Sequence, residues 1–160
     1  MPRAEASVRF LHEGTEYTYS AYHDPEARSG GNHVEAIDGS NEAMCWAVGG
    51  LWLSGGPRGI LDCLEQRFGR AFDDVGGFIF ACEDGDDEST RIPAGHVSFR
   101  FFDLPELLVS EPSFRRFAGA FGLAALEADA QIGRLDLAAD ERAALHAAFA
   151  ALTAEAGRPQ

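Results

Sequence analysis

Gly95-His96-Val97-Ser98-Phe99-Arg100-Phe101-Phe102 is the stretch on which the fold turns. Val97, Phe99 and Phe101 fall on one side of an extended chain and Ser98 and Arg100 on the other, the period-two pattern of a strand with one face on a core. Upstream, Val75-Gly76-Gly77-Phe78-Ile79-Phe80-Ala81-Cys82 is apolar nearly throughout, which suits a more central strand. The two predict an antiparallel pair joined by the twelve residues 83–94. Hairpin loops usually hold about two to five residues, and connections of this length more often carry function. This one contains Glu83-Asp84-Gly85-Asp86-Asp87-Glu88, five carboxylates in six positions. They cannot be buried without costly desolvation, so they must face water, a cation or a cationic partner.

Toward the N-terminus, residues 7–11 and 15–22 flank His12-Glu13-Gly14 and predict a β-hairpin. In its second strand Tyr17, Tyr19 and Ala21 alternate with Thr18, Ser20 and Tyr22. Residues 23–33 hold Asp24-Pro25 and Gly30-Gly31-Asn32 and predict a loop, followed by a short third strand over 34–37. Ser40 is expected to cap a helix whose first turn holds Asn41, Glu42 and Ala43. Met44, Cys45, Trp46, Val48, Leu51, Trp52 and Leu53 mark a buried element of undecided type, since Gly49-Gly50 weakens a helix there. Gly55-Gly56-Pro57 ends it. Pro57 then opens a helix over 58–68, with Ile60, Leu61, Leu64 and Phe68 at helical spacing and Gly69 as the stop.

Beyond Asp103, residues 104–108 suggest one helical turn, and Ser110-Glu111-Pro112 starts a helix with Phe114, Phe117, Phe121 and Leu126 on its apolar face. Asp140 is expected to cap a last helix through Ala156, with Leu145, Phe149 and Leu152 turned inward. Strands lead and helices follow. The expected class is α+β: a single compact domain over residues 1–160, with a mostly antiparallel sheet, helices packed on one face and a tail at 157–160.

The chain of 160 residues is 46% hydrophobic with twelve Phe, enough for an ordinary core. Every basic residue is Arg. The absence of Lys removes Schiff-base chemistry, pyridoxal phosphate attachment and the Lys-dependent phosphate loop. Against 13 basic residues stand 26 acidic ones, a net charge of -13, which disfavours nucleic acid and anionic membranes and favours a cationic partner. Cys45, Cys63 and Cys82 lie in apolar surroundings without a CxxC pair and are expected as core residues of a cytoplasmic protein. No apolar run has the length of a signal peptide or a bilayer span.

No motif supplies a reaction. His33-Val34-Glu35 matches half of a zinc-deaminase signature, but the Pro-Cys-x-x-Cys half is missing. Histidines 12, 23, 33, 96 and 146 lack helical i, i+4 spacing and are expected as solvated loop residues. Ser54 lacks the Gly two positions earlier that a nucleophile elbow needs, and the glycines of residues 49–59 do not form a dinucleotide fingerprint. An EF-hand register started at Asp84 places Ser89 sixth and Gly95 twelfth, where Gly and Glu are required. No catalytic residue, metal ligand or cofactor is therefore assigned.

In size, acidity, lack of lysine and α+β layout, the whole chain resembles the immunity proteins of bacterial toxin systems. The resemblance implies a partner, a basic cognate toxin domain, and it implies that Glu83, Asp84, Asp86, Asp87 and Glu88 occupy the cationic cleft of a nuclease in place of substrate phosphates. Two other functions are consistent with the residues. One is a small enzyme or ligand-binding domain with a pocket around Trp46, Trp52 and Tyr19 and polar machinery at His23, His33 and Glu35. The other is a homodimer formed through an exposed strand such as residues 95–102.

Overall fold

The computed structural model describes residues 3–72, 75–81 and 92–155. Among them the order is β1 (Ala4–His12), β2 (Thr15–Asp24), β3 (Ser29–Ala36), α1 (Glu42–Gln66), β4 (Arg70–Phe72), β5 (Gly76–Phe80), β6 (His96–Phe101), β7 (Leu107–Ser110), α2 (Glu111–Ile132) and α3 (Ala139–Ala154). The α+β class is as expected, but the strands form two antiparallel sheets rather than one, β1-β2-β3 and β4-β5-β6-β7.

Glu13 and Gly14, both at positive φ, close β1 onto β2 in a two-residue turn. The expected loop over 23–33 is instead mostly strand: β2 and β3 pair as far as Asp24↔Ser29, and the Asp24 side chain accepts from the backbone N–H of Glu26 and Ala27. One face of this sheet, with Ala6, Tyr17, Tyr19, Ala21, Val34 and Ala36, is buried. Helices α1 and α2 cover it.

In the second sheet β6 lies between β5 and β7, with Phe78↔Phe99 and Phe99↔Leu107 in register. The predicted pair across the acidic connection is thus present. The turn expected over 104–108 is not helical; Pro105 cannot donate to a helix interior, and Leu107 onward adds β7 to the sheet.

Helix α1 runs through Gly49-Gly50 and breaks only at Gly56 (φ 64, ψ -157), directly before Pro57. Gly50 is a packing residue: a Cβ there would come within 2.9 Å of the Phe72 ring. Its cap is Asn41 rather than Ser40, and Asn41 uses its side chain elsewhere, donating to the Tyr17 hydroxyl at 2.7 Å. The stop is Arg67 in the left-handed region, with Gly69 instead lying against the Phe78 carbonyl. Ser110 caps α2 as expected, its Oγ accepting from Ser113 N–H at 3.2 Å. Helix α3 begins one residue before Asp140, with Ala138 as its cap.

Successive aromatic residues of α2 serve different sheets. Phe114 meets Phe78, Phe80 and Phe99, whereas Phe117 and Phe121 meet Phe10, Tyr17 and Tyr19. One apolar cluster consequently draws on both sheets and all three helices. No described helix is long and apolar enough to cross a membrane.

Candidate functional site

The acidic residues Glu83, Asp84, Asp86, Asp87 and Glu88 lie outside the described residues. Their point of attachment lies inside them. Strands β5 and β6 pair up to Phe80↔Val97, and Ala81 N–H donates to the His96 carbonyl at 3.0 Å, so the chain leaves and returns at adjacent positions. Arg67 grips this root. It donates from Nη2 to the Ala81 carbonyl and from Nε to Glu111 Oε1, both at 2.9 Å, and its guanidinium stacks 5.7 Å from the Phe80 ring centre. Glu111 N–H donates in turn to the Gly95 carbonyl at 2.6 Å. The two ends of the acidic connection are thereby fastened to the C-terminus of α1 and the N-terminus of α2.

Elsewhere the arginines are largely spent within the molecule. Arg115 makes a two-pronged pair with Glu155, Arg116 meets Glu13, Arg100 meets Glu106 and Arg134 lies 3.9 Å from Asp129. Such pairing leaves the acidic surplus uncompensated.

Among the described residues the tryptophans of the expected pocket stand in different surroundings. Tyr19 and Trp52 are core residues, their hydroxyl and indole N–H donating to the two oxygens of buried Asp129 at 2.8 and 2.7 Å. Burial, with the Asp129 charge beside it, raises the Tyr19 pKa far beyond its ordinary value. Trp46 stands half-exposed against the edge of Phe101, and His33 and Glu35 pair with each other at 3.1 Å on the solvent face. A cavity of about 120 Å³ beside Trp46 is lined by His33, Glu35, Ser40 and Cys45 and reaches neither Trp52 nor Tyr19. Burial pushes the Cys45 thiol up to about 12 and Cys63 up to about 11, so neither is a ready nucleophile. Among the described residues no group of three or more His, Cys, Asp or Glu side chains is placed to hold a metal ion.

None of the five histidines lies in a loop, since His12, His23, His33 and His96 belong to strands and His146 to α3, and His12 is the one that is buried. His12 ends β1 with its side chain buried, Nε2 lying 3.2 Å from Ser113 Oγ and the ring packed edge-on to Phe117. Its strand position predicts this, because residues 6, 8, 10 and 12 share the core face. Burial lowers its pKa below 6.5, with Glu13 opposing and Arg116 reinforcing the shift. The unfolded chain therefore takes up this proton first. The stabilisation from His12 is expected to be complete above pH 6.5 and to be lost as the pH falls through 6.5 toward the lower folded value. Urea midpoints measured between about pH 7.5 and 5 should show a slope that His12→Gln removes.

Comparison with family models, curated proteins and solved structures returned no match to this chain.

Proposed function

We propose that this chain is an acidic binding protein that neutralises a basic partner, acting as an immunity protein against a cognate toxin domain, a nuclease being the chemistry its charge fits best. The observation that supports this reading is the root of the β5–β6 connection. Arg67, Glu111 and Gly95 fix both ends of a segment carrying five carboxylates, while most described arginines elsewhere are paired within the molecule. Fixed ends reduce the ordering cost of presenting those carboxylates. Arginines of a phosphate-binding cleft would pair with Asp84, Asp86 and Asp87 through bidentate, charge-assisted hydrogen bonds, and long-range attraction would speed the encounter.

The test is a variant with Asp84, Asp86 and Asp87 changed to Asn and Glu88 to Gln. Both forms are used as bait in lysate of the native cell at low salt, and any captured protein is then purified and titrated with salt. The expected result is a basic partner that the native chain binds at least about a hundredfold more tightly than the neutralised chain. Its toxicity on expression should be relieved by the native chain alone. Equal affinity of the two forms would remove the acidic segment from the interface, and a partner whose activity is unaffected by binding would remove the inhibitory role.

A further inference from the structure

The strand suggested by sequence as a dimer edge, residues 95–102, is internal, since β6 is paired on both sides. The long free edge belongs to β1. Because the Glu13-Gly14 turn closes on the pair His12↔Thr15, the even-numbered residues of β1 exchange hydrogen bonds with β2. The main-chain groups of Glu5, Ser7, Arg9 and Leu11 therefore point away from the sheet, and none has a backbone partner among the described residues. A nine-residue edge of this kind is ready to accept another strand.

We propose that this edge pairs antiparallel with β1 of a second copy, with Ser7 on the twofold axis. Outward-pointing groups must meet outward-pointing groups, so only alternate registers are allowed, and charge discriminates among them. Placing Glu5 or Arg9 on the axis opposes like charges. Pairing Ser7 with Glu5 of the second copy brings Arg9 against the other copy's Arg3. Pairing Ser7 with Arg9 of the second copy leaves Glu5 opposite Leu11 and gains no charge pair within β1, whereas Ser7 against Ser7 sets Glu5 opposite Arg9 twice, with no like-charge pair.

The same register is complementary on the core face, where Phe10 lies opposite Ala4 and Val8 opposite Ala6 of the second copy. About six main-chain hydrogen bonds would form over Glu5, Ser7 and Arg9. The contacts these side chains make within one copy, Arg3 with Glu5, Arg9 with Glu16 and Ser7 with Ser20, are exposed, and the two ion pairs cost little to exchange.

The surface beside the edge supports the same occupant. A groove of about 440 Å³ runs between β1 and α3 along the flank of α2, lined by Val8, Phe10, Ala120, Leu123 and Ala124 with Arg142 at its rim. Val8 and Phe10 are only partly buried in the single chain. Pairing of the edges brings the two grooves face to face and covers both residues in each copy. The two three-stranded sheets become one of six strands, and neither retains its β1 edge.

Sedimentation equilibrium at about 0.15 M salt, which screens the net charge of -13 on each copy, tests this. The expected mass is twice 17.2 kDa. Ser7→Pro removes an N–H that β2 does not use, and should leave circular dichroism unchanged while giving the single-chain mass. Glu5→Arg and Arg9→Glu should each weaken association about tenfold to a hundredfold, and the double exchange should restore it. A native chain that stays monomeric to millimolar concentration overturns the proposal and leaves the edge to another partner. So does a Ser7→Pro dimer, or a double exchange no tighter than its single parents. The acidic-segment variant should dimerise normally, which separates this surface from the binding function proposed above.

Discussion

Asp129→Ala is expected to cost about 3–5 kcal/mol of folding stability. The carboxyl group is 1% exposed and stands at the meeting point of β2, α1 and α2. Truncation leaves the Tyr19 hydroxyl and the Trp52 indole N–H without an acceptor in a site that is closed to solvent, and each orphaned donor costs about 1–3 kcal/mol. Arg134 fares better, since its Nη1 keeps the Gly31 carbonyl at 2.7 Å. Asp129→Asn should lie between: one oxygen still accepts, but the amide NH₂ is forced against a donor. Against a total stability of about 5–15 kcal/mol for a domain of this size, a loss of that magnitude is a large fraction of the whole. Urea denaturation checks it, with a lowered midpoint at unchanged slope as the expected signature.

Phe149→Ala is expected to cost about as much, 3–5 kcal/mol on the scale of large aromatic truncations. Helix α3 has only three buried side chains, Leu145, Phe149 and Leu152, so its attachment depends heavily on this ring. Phe149 is fully buried and reaches Trp52 with ring centres 6.3 Å apart. It can do so because α2 offers a cleft at Gly119 and Gly122, where added Cβ atoms would come within 2.7 Å of the Phe149 carbonyl and 2.3 Å of its ring. The mirror experiment is Gly122→Ala, which crowds the same contact from the other side and should cost about 1–3 kcal/mol. A thermal melt of each variant, followed by far-ultraviolet circular dichroism, measures both.

The parts of the fold that were legible in the sequence are those where the pattern of burial repeats. Val97, Phe99 and Phe101 alternate because β6 has one core face, and Phe114, Phe117 and Phe121 recur because α2 has one apolar stripe. Strand β4 escaped notice because three residues, Arg70-Ala71-Phe72, are too few to establish a period. Gly49-Gly50 misled for a different reason: the feature that weakens a helix in isolation is what allows Phe72 to approach α1.

The buried network was hidden by residue type. An Asp in Ala-Leu-Glu-Ala-Asp-Ala suggests a solvated helix face, yet Phe117, Phe121, Ala125 and Asp129 follow one another at intervals of four and share the buried stripe. That spacing was the available signal. The acidic segment itself was legible from charge alone, whereas its anchoring by Arg67 and Glu111 joins residues 44 positions apart and carries no local trace.

The partners of Asp129 are separated from it by 110 and 77 positions along the chain. On a ribosome adding about 5–20 residues per second, Tyr19 emerges roughly 5–20 seconds before the helix that will accept its hydrogen bond. During that interval β1, β2 and β3 can pair, but the face bearing Tyr17, Tyr19 and Val34 has no α2 to cover it. The apolar face of the N-terminal sheet therefore stays uncovered until the residues of α2 have cleared the exit tunnel.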